Sequence, residues 1–321
     1  MVRRFRKNER GIALLAVLLG VALMTLVVVD FAMTSGLGFV SAANQANELR
    51  AYYMARSGIS VGLAMLAQDE RAKTQAPASS TLGTPPETLN DPWATPLPTV
   101  GLEGGNVSVS IVDEARKLNI NQMVVNGVPN ARAIAQVERL FTILDVDTAL
   151  IPGIEQWITP ASATAGGGGA DYYMGLRPPY QPREGPMPTI ADLQMVKGIN
   201  EAVFNRLRPF LTVMPENQVN INTASPQVIA SLEPELTEDQ KIVEEIVEER
   251  QLRPFTKVTD LINDIPSVGP FGTRLSQDLT VNSKFFTITG MGTYSNARKI
   301  VTATFHRETT GIGTLENWHE D

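Results

Sequence analysis

Eighteen consecutive residues, Ile12 to Val29, carry one polar side chain between them, Thr25. As a helix rising about 1.5 Å per residue, this run spans roughly 27 Å, close to the hydrocarbon thickness of a bilayer. Arg3, Arg4, Arg6, Lys7 and Arg10 precede it, offset only by Glu9, and Asp30 follows it. That asymmetry places the basic end on the cytoplasmic side and the bulk of the chain on the other. Whatever the remaining residues build must hang from one apolar helix.

The charged leader runs directly into Gly11, and the apolar run begins at Ile12. No small-residue cleavage site follows the charged region. A secretory signal is cut beyond its apolar segment and lost. Here the arrangement is the one a prepilin peptidase cuts, between Gly11 and Ile12, which leaves the helix on the mature chain. A plain single-pass signal anchor is the alternative.

The chain has 321 residues, room for one large or two modest domains beyond the membrane helix. Its net charge of −7 argues against a protein whose main task is holding phosphate backbones. It has no cysteine, so neither a disulfide nor a thiolate metal site exists. Its two histidines, His306 and His319, leave little for a histidine zinc site or a Ser-His-Asp relay. No phosphate-binding loop, nucleophile elbow or nucleotide-fold glycine pattern appears, and a non-enzyme is expected.

Beyond the membrane run, Leu49, Tyr52, Ala55, Ile59, Leu63 and Leu66 recur at helical spacing. The first helix is therefore expected to continue, amphipathic, over 12–72, with Gly36 and Gly38 as a softened point. Prolines punctuate 73–104, which reads as a linker. Alternation from Asn106 to Val112 predicts a strand, placing a first β region at 105–121. Helical patterns follow at Ala131–Leu144, Thr148–Ile158, Thr189–Met195, Glu201–Leu207, Ser225–Leu232 and Thr237–Arg250, with Thr189/Asp192 and Thr237/Gln240 as helix-start pairs. They fill an inserted α-helical domain at 122–280. Lys284–Thr293 and Lys299–Arg307 predict a closing hairpin at 281–308, and 309–321 reads as a polar tail. The expected class is α+β: a long N-terminal helix packed on a small antiparallel sheet that a large helical insertion interrupts. Trp93 and Trp157 are expected in the core and Trp318 on the surface. Asn119-Ile-Asn121 and Asn220-Ile-Asn222 echo one another, and both read as local side-chain-to-backbone turns, not as a duplicated domain.

These landmarks, in order, resemble the K-type minor pseudopilins of type II secretion systems. The resemblance is carried by the leader with Gly11-Ile-Ala-Leu-Leu15, by Arg50-Ala-Tyr-Tyr-Met-Ala-Arg-Ser-Gly-Ile59 and by Asp113 to Asn121. It continues through Gln156-Trp-Ile158, Asp171-Tyr-Tyr173, Pro178-Pro-Tyr180, Asp192 to Ile199, Pro209 to Val213 and Val219 to Ala224. It covers nearly the whole chain and implies a pseudopilin fold, inner-membrane anchoring, cleavage and N-methylation at Ile12, and partnership with the I, J and H types. It also implies capping of the pseudopilus tip, with the secreted substrate or the outer-membrane secretin as further contacts. Filament-body pseudopilins resemble type IV pilins in carrying glutamate at the fifth mature position; here that residue is Ala16, as in the K type. The resemblance implies calcium as well, held by an acidic cluster after the tryptophan. After Trp157 this chain reads Ile158-Thr-Pro-Ala-Ser162, then a four-glycine run before Asp171. One carboxylate, Asp171, is a poor set for a hard cation, and tight binding is not expected.

A second resemblance competes. Val219 to Ile229, Ile242 to Arg250, Pro254-Phe255 and Val258 to Leu261 resemble helix-hairpin-helix repeats of DNA-uptake proteins, whose hairpin N–H groups hold a phosphate. Residues 216–269 hold eleven acidic and four basic side chains, and the expected hairpin at Glu233–Asp239 carries carboxylates where a phosphate would sit. That surface repels a polyanion, and no nucleic acid is expected.

Overall fold

In the computed structural model, residues 9–74, 85–102, 104–163, 170–307 and 313–320 are described. Helix α1 runs unbroken from Glu9 to Thr74, about 100 Å of helix, straight through Gly36 and Gly38. Residues 11–46 are exposed throughout; the buried face begins at Ala51.

That face lies on a five-stranded antiparallel sheet. The strands, in spatial order, are Val100–Leu102, Gly105–Asp113, Phe285–Tyr294, Ala297–His306 and Leu315–Glu320. Gly105–Asp113 alternates buried and open residues, as its sequence predicts. It pairs with the central strand in the register Val107↔Gly292, Val109↔Gly290, Ile111↔Ile288. The chain leaves the sheet after Asp113 and returns at Phe285, so the helical body is an insertion between two adjacent strands.

Helix and sheet touch backbone to backbone. A Cβ on Gly292 would lie 2.0 Å from the Ala51 carbonyl oxygen, and one on Gly290 would lie 2.1 Å from that of Ala55. The packing face is therefore made of small residues, Ala51, Ala55, Gly58 and Gly62, with Ile59 and Leu66 between them. Leu49, expected on this face, is 55% exposed. A stripe ranked by hydrophobicity alone misses the preference of a close approach for small side chains. The apolar core here comprises Ala55, Ile59, Leu66, Trp93, Val107, Val109, Ile111, Phe286, Ile288, Val301, Ala303 and Phe305.

Two segments are more ordered than their composition suggests. Within the expected linker, Glu87, Thr88 and Trp93 are buried, and Trp93 meets Phe286 edge-on at 5.1 Å. Within the expected polar tail, Leu315–Glu320 is the fifth strand. There Tyr52 donates its hydroxyl proton to Glu320 at 2.9 Å, and Trp318 packs against the sheet core. Backbone pairing to a long neighbouring strand needs no apolar run of its own, which is why the segment reads as a tail.

The insertion has a separate core, running from Leu118 to Val281 and centred on Phe141, Leu140, Ile154, Leu193, Leu207, Ile229, Leu236, Ile246 and Phe255. Helices occur at Ala131–Ile143, Ile151–Ile158, Glu201–Leu207 and Pro226–Leu232, close to expectation, and Ile190–Met195 is a 3-10 turn. The segment expected as one helix from Thr237 is two, Pro234–Glu238 and Gln240–Leu252. Asp239 starts the second by accepting from the Lys241 N–H, while Thr237 donates back to the Ala230 carbonyl.

The asparagine echo proves to be more than two local turns. Asn119 and Asn220 each accept from the backbone N–H two residues on, both at 3.0 Å, as expected. Asn121 then exchanges two hydrogen bonds with the Met187 backbone (2.8 and 2.9 Å), and Asn222 does the same with Phe255 (2.9 and 3.0 Å). Each motif also forms a short parallel bridge, Leu118↔Leu211 with Asn119↔Thr212, and Val219↔Leu279 with Asn220↔Thr280. Around them the chain repeats Pro186-Met187…Asp192-Leu193 as Pro254-Phe255…Asp260-Leu261, and Leu207…Leu211-Thr212 as Leu275…Leu279-Thr280. The body is two copies of one supersecondary plan, which corrects the reading against duplication. The other matches are isolated pairs at unequal distances from the asparagines, so in the sequence the asparagine echo stands out and the rest does not.

Candidate assembly surfaces and the joint between the cores

Gly11, Ile12 and Ala16 all lie on the exposed stretch of α1, and beyond the adjoining helix nothing among the described residues lies within 4 Å of the place a Gly11 Cβ would take. The polar exception, Thr25, donates its hydroxyl to the Val21 carbonyl at 2.8 Å, so it costs little in an apolar setting. This is the one helix among the described residues long and apolar enough to cross a membrane. Its exposed apolar surface extends past Asp30, through Phe31, Met33, Leu37, Phe39 and Val40. A surface of that kind needs lipid or other protein against it. The leader residues 1–8 lie outside the described residues.

At the far end of α1, the Lys73 ammonium sits 2.9 Å from Asp69, 2.7 Å from Glu87 and 2.8 Å from Asp91. Arg307 adds Asp69 (3.3 Å), Glu70 (3.4 Å) and a close contact to Glu87. The Trp93 indole donates to Glu87 at 3.0 Å. Burial raises the Glu87 pKa against the pull of Arg307 and Lys73; for Lys73 burial lowers the pKa, and Glu87, Asp91 and Asp69 together outweigh it and raise it. Three of these carboxylates, Asp69, Glu87 and Asp91, stand close enough to hold a metal, but Lys73 already fills the space between them.

A second polar cluster lies where the chain passes between the two cores. Asp113, fully buried, accepts from the Thr223 hydroxyl (2.6 Å), the Ser283 hydroxyl (2.7 Å), the Asn220 amide (3.3 Å) and the Ala115 N–H (2.8 Å). Burial still pushes its pKa up. Glu114 accepts from Lys117 (2.7 Å), Thr212 (2.6 Å) and Thr287 (2.8 Å). Glu216 accepts the Lys284 N–H at 2.6 Å through one oxygen, and its other oxygen is buried without a partner. Burial, then the neighbouring Asp113 charge, pushes its pKa to about 8. Sequence reasoning passed over Glu216 because nothing local marks it.

Asp171 opens the short helix Ala170–Met174, and among the described residues no group of three or more His, Asp or Glu gathers around it. The glycine run at 164–169 lies outside the described residues. One exposed carboxylate does not fit a calcium ion. The expected hairpin at Glu233–Asp239 holds the short helix Pro234–Glu238; Glu233 meets Arg132 (2.5 Å) and Arg274 (2.7 Å), and Glu235 meets Arg274 (2.7 Å). Of the four cations in 216–269, Arg250 is buried and donates to the Ile221 and Ala224 carbonyls, both at 2.7 Å. Arg253 faces Asp264 at 2.8 Å. The other hairpin, Val196–Ile199, turns at Gly198 (φ +87°), and Asn200 caps the helix behind it by accepting from the Val203 N–H.

Two family models described as type II secretion system protein K match residues 116–216 and 219–282, together just over half the chain. The chain belongs to the type II secretion system protein K family. The boundary between the two matches falls between the two copies of the repeated plan. Type II secretion system protein K of Pseudomonas aeruginosa is 26% identical over 314 residues, covering 95% of this chain and 91% of that protein. The Klebsiella pneumoniae protein K is 24% identical, covering 91% and 90%. Among solved structures, a chain of the GspK-GspI-GspJ complex from enterotoxigenic Escherichia coli shares the fold. It superposes with a TM-score of 0.69 at 18% identity, covering 88% of this chain and 99% of its own. Membership makes this a pseudopilin of the type II secretion system, anchored through its apolar N-terminal helix.

Proposed function

We propose that this pseudopilin caps the tip of the pseudopilus and starts its assembly, so supporting secretion across the outer membrane. The precursor stands in the inner membrane with its basic leader cytoplasmic and its bulk periplasmic. A prepilin peptidase cuts between Gly11 and Ile12, and the new N-terminus is methylated. The apolar helix then leaves lipid sideways and buries the same surface against the helices of I-, J- and H-type partners. The inserted body faces the secreted substrate or the secretin. The chain itself catalyses none of these steps.

The observation that carries this reading is Ala16. A carboxylate in the bilayer core is costly unless a neighbour pairs with it, and the first subunit of a filament has no neighbour on one side. The inserted double-plan body supports it, being too bulky to stack beneath another subunit. Replacing Gly11 with aspartate should leave the precursor unprocessed, read by the N-terminal sequence of the membrane-extracted protein. Normal maturation of that variant would remove the leader assignment and the assembly route built on it.

A further inference from the structure

The two apolar cores of this chain do not merge; between them runs the polar cluster of Asp113, Glu114 and Glu216. Glu216 lies at the meeting of three parts. Its carbonyl accepts from the Asn119 amide of the first copy at 3.2 Å, Val219 of the second copy begins three residues on, and its carboxyl meets the N–H of Lys284, the residue before the central strand. Its second oxygen is buried and unpartnered, and the residue lines a cavity of about 30 Å³ with Lys117, Gln122, Gln136 and Asp278 among others.

The charges around it decide which form of the carboxyl fits. Asp113 and Glu114, at the end of the neighbouring strand, are anionic neighbours. Lys117 is committed to Glu114 at 2.7 Å. Asp278, on the cavity wall, is held by Arg132 at 2.5 Å. Lys284, exposed, favours the charged form of Glu216 through its N–H and its charge. A neutral carboxyl suits this place; a carboxylate does not.

We propose that Glu216 is the proton-dependent latch of the joint between sheet and helical body: the joint closes on the protonated carboxyl, and opening it to water releases the proton. The sign follows from linkage. The closed joint holds its proton up to about pH 8, whereas an opened, solvated glutamate ionises near the ordinary carboxyl value of 4.5. Between those limits the open fraction therefore rises with pH, by about tenfold per pH unit at most, and above the upper limit it levels off. Acidification outside the inner membrane would stiffen the body on its sheet, and alkalinisation would free it.

The test uses the full chain in detergent micelles. Infrared difference spectra should show a protonated-carboxyl band that titrates near the upper limit and is missing from Glu216→Gln. Hydrogen exchange at 213–219 and 283–286 should rise with pH beyond the ordinary base catalysis of amide exchange and flatten above that limit. The isosteric Glu216→Gln variant should show no such excess. A wild-type chain without the band, or one whose exchange follows base catalysis alone, overturns the proposal, and this holds even if the variant does not fold. A variant that keeps the excess overturns it too.

Discussion

Lys73 offers the sharpest test of how the head is fastened to α1. Four carboxylates, Asp69, Glu70, Glu87 and Asp91, face two cations there, and the Lys73 side chain is 8% exposed. Lys73→Met keeps the aliphatic stem and removes the charge, leaving Arg307 alone among four anions. Removing one partner of a buried ion pair costs about 3–5 kcal/mol, because the other charge stays buried. With three carboxylates within 3 Å of the ammonium, the upper half of that range is the reasonable figure. The loss should depend on pH in a stated direction. Burial already raises the Glu87 pKa, and losing Lys73 raises it further, so acidification neutralises the surplus anions and narrows the gap to wild type. Adding Glu87→Gln should restore part of the loss. Chemical unfolding of the micelle-bound chain, followed by tryptophan fluorescence, measures all three, since Trp93 is hydrogen-bonded to Glu87. A cost below about 1 kcal/mol, the figure for a solvent-exposed pair, or a gap indifferent to pH would refute the argument.

Two further substitutions probe the fold and the membrane segment. Gly292→Ala puts a methyl group 2.0 Å from the Ala51 carbonyl oxygen, where neither backbone can yield without parting helix and sheet, and should cost about 1–3 kcal/mol or more in unfolding; Gly101→Ala, facing only the Asn106 side chain at 3.8 Å, should cost far less. Ala16→Glu should make membrane insertion of α1 less favourable, by at most about 2.5–3.5 kcal/mol, the figure for a charge at the helix centre, read as the inserted fraction in a translocation assay.

The sequence declared its elements better than their partnerships. The membrane run, the Gly105–Asp113 strand and the closing hairpin were legible because each is a periodic pattern complete within a few turns or pleats. Glu201–Leu207 was legible for the same reason. What was hidden depends on residues far apart in the chain. Leu315–Glu320 is a strand because Ala297–His306 offers it a free edge, and no property of the hexapeptide says so. Ala51, Ala55 and Gly58 make the helix–sheet contact because Gly290 and Gly292 lie opposite, more than two hundred residues on. Glu216 looks like any surface glutamate until Asp113, Glu114 and Lys284 are brought around it.

The same contrast bears on why the joint is polar at all. An apolar seam would weld body and sheet into one core, as apolar area does between most packed layers. Instead each core closes on itself, and the crossings at 113–118 and 281–285 are held by side-chain hydrogen bonds to buried carboxylates. Such contacts are directional and few, so they fix one orientation when fully made and release it as a set when one fails. Asp113 and Glu114 have donors on both oxygens; Glu216 has one oxygen without any. A seam that opens must therefore open first at Glu216, and a chain in which Asp113→Asn loosened the body while Glu216→Gln tightened it would show the two carboxyls acting in opposite senses, as their donor sets require.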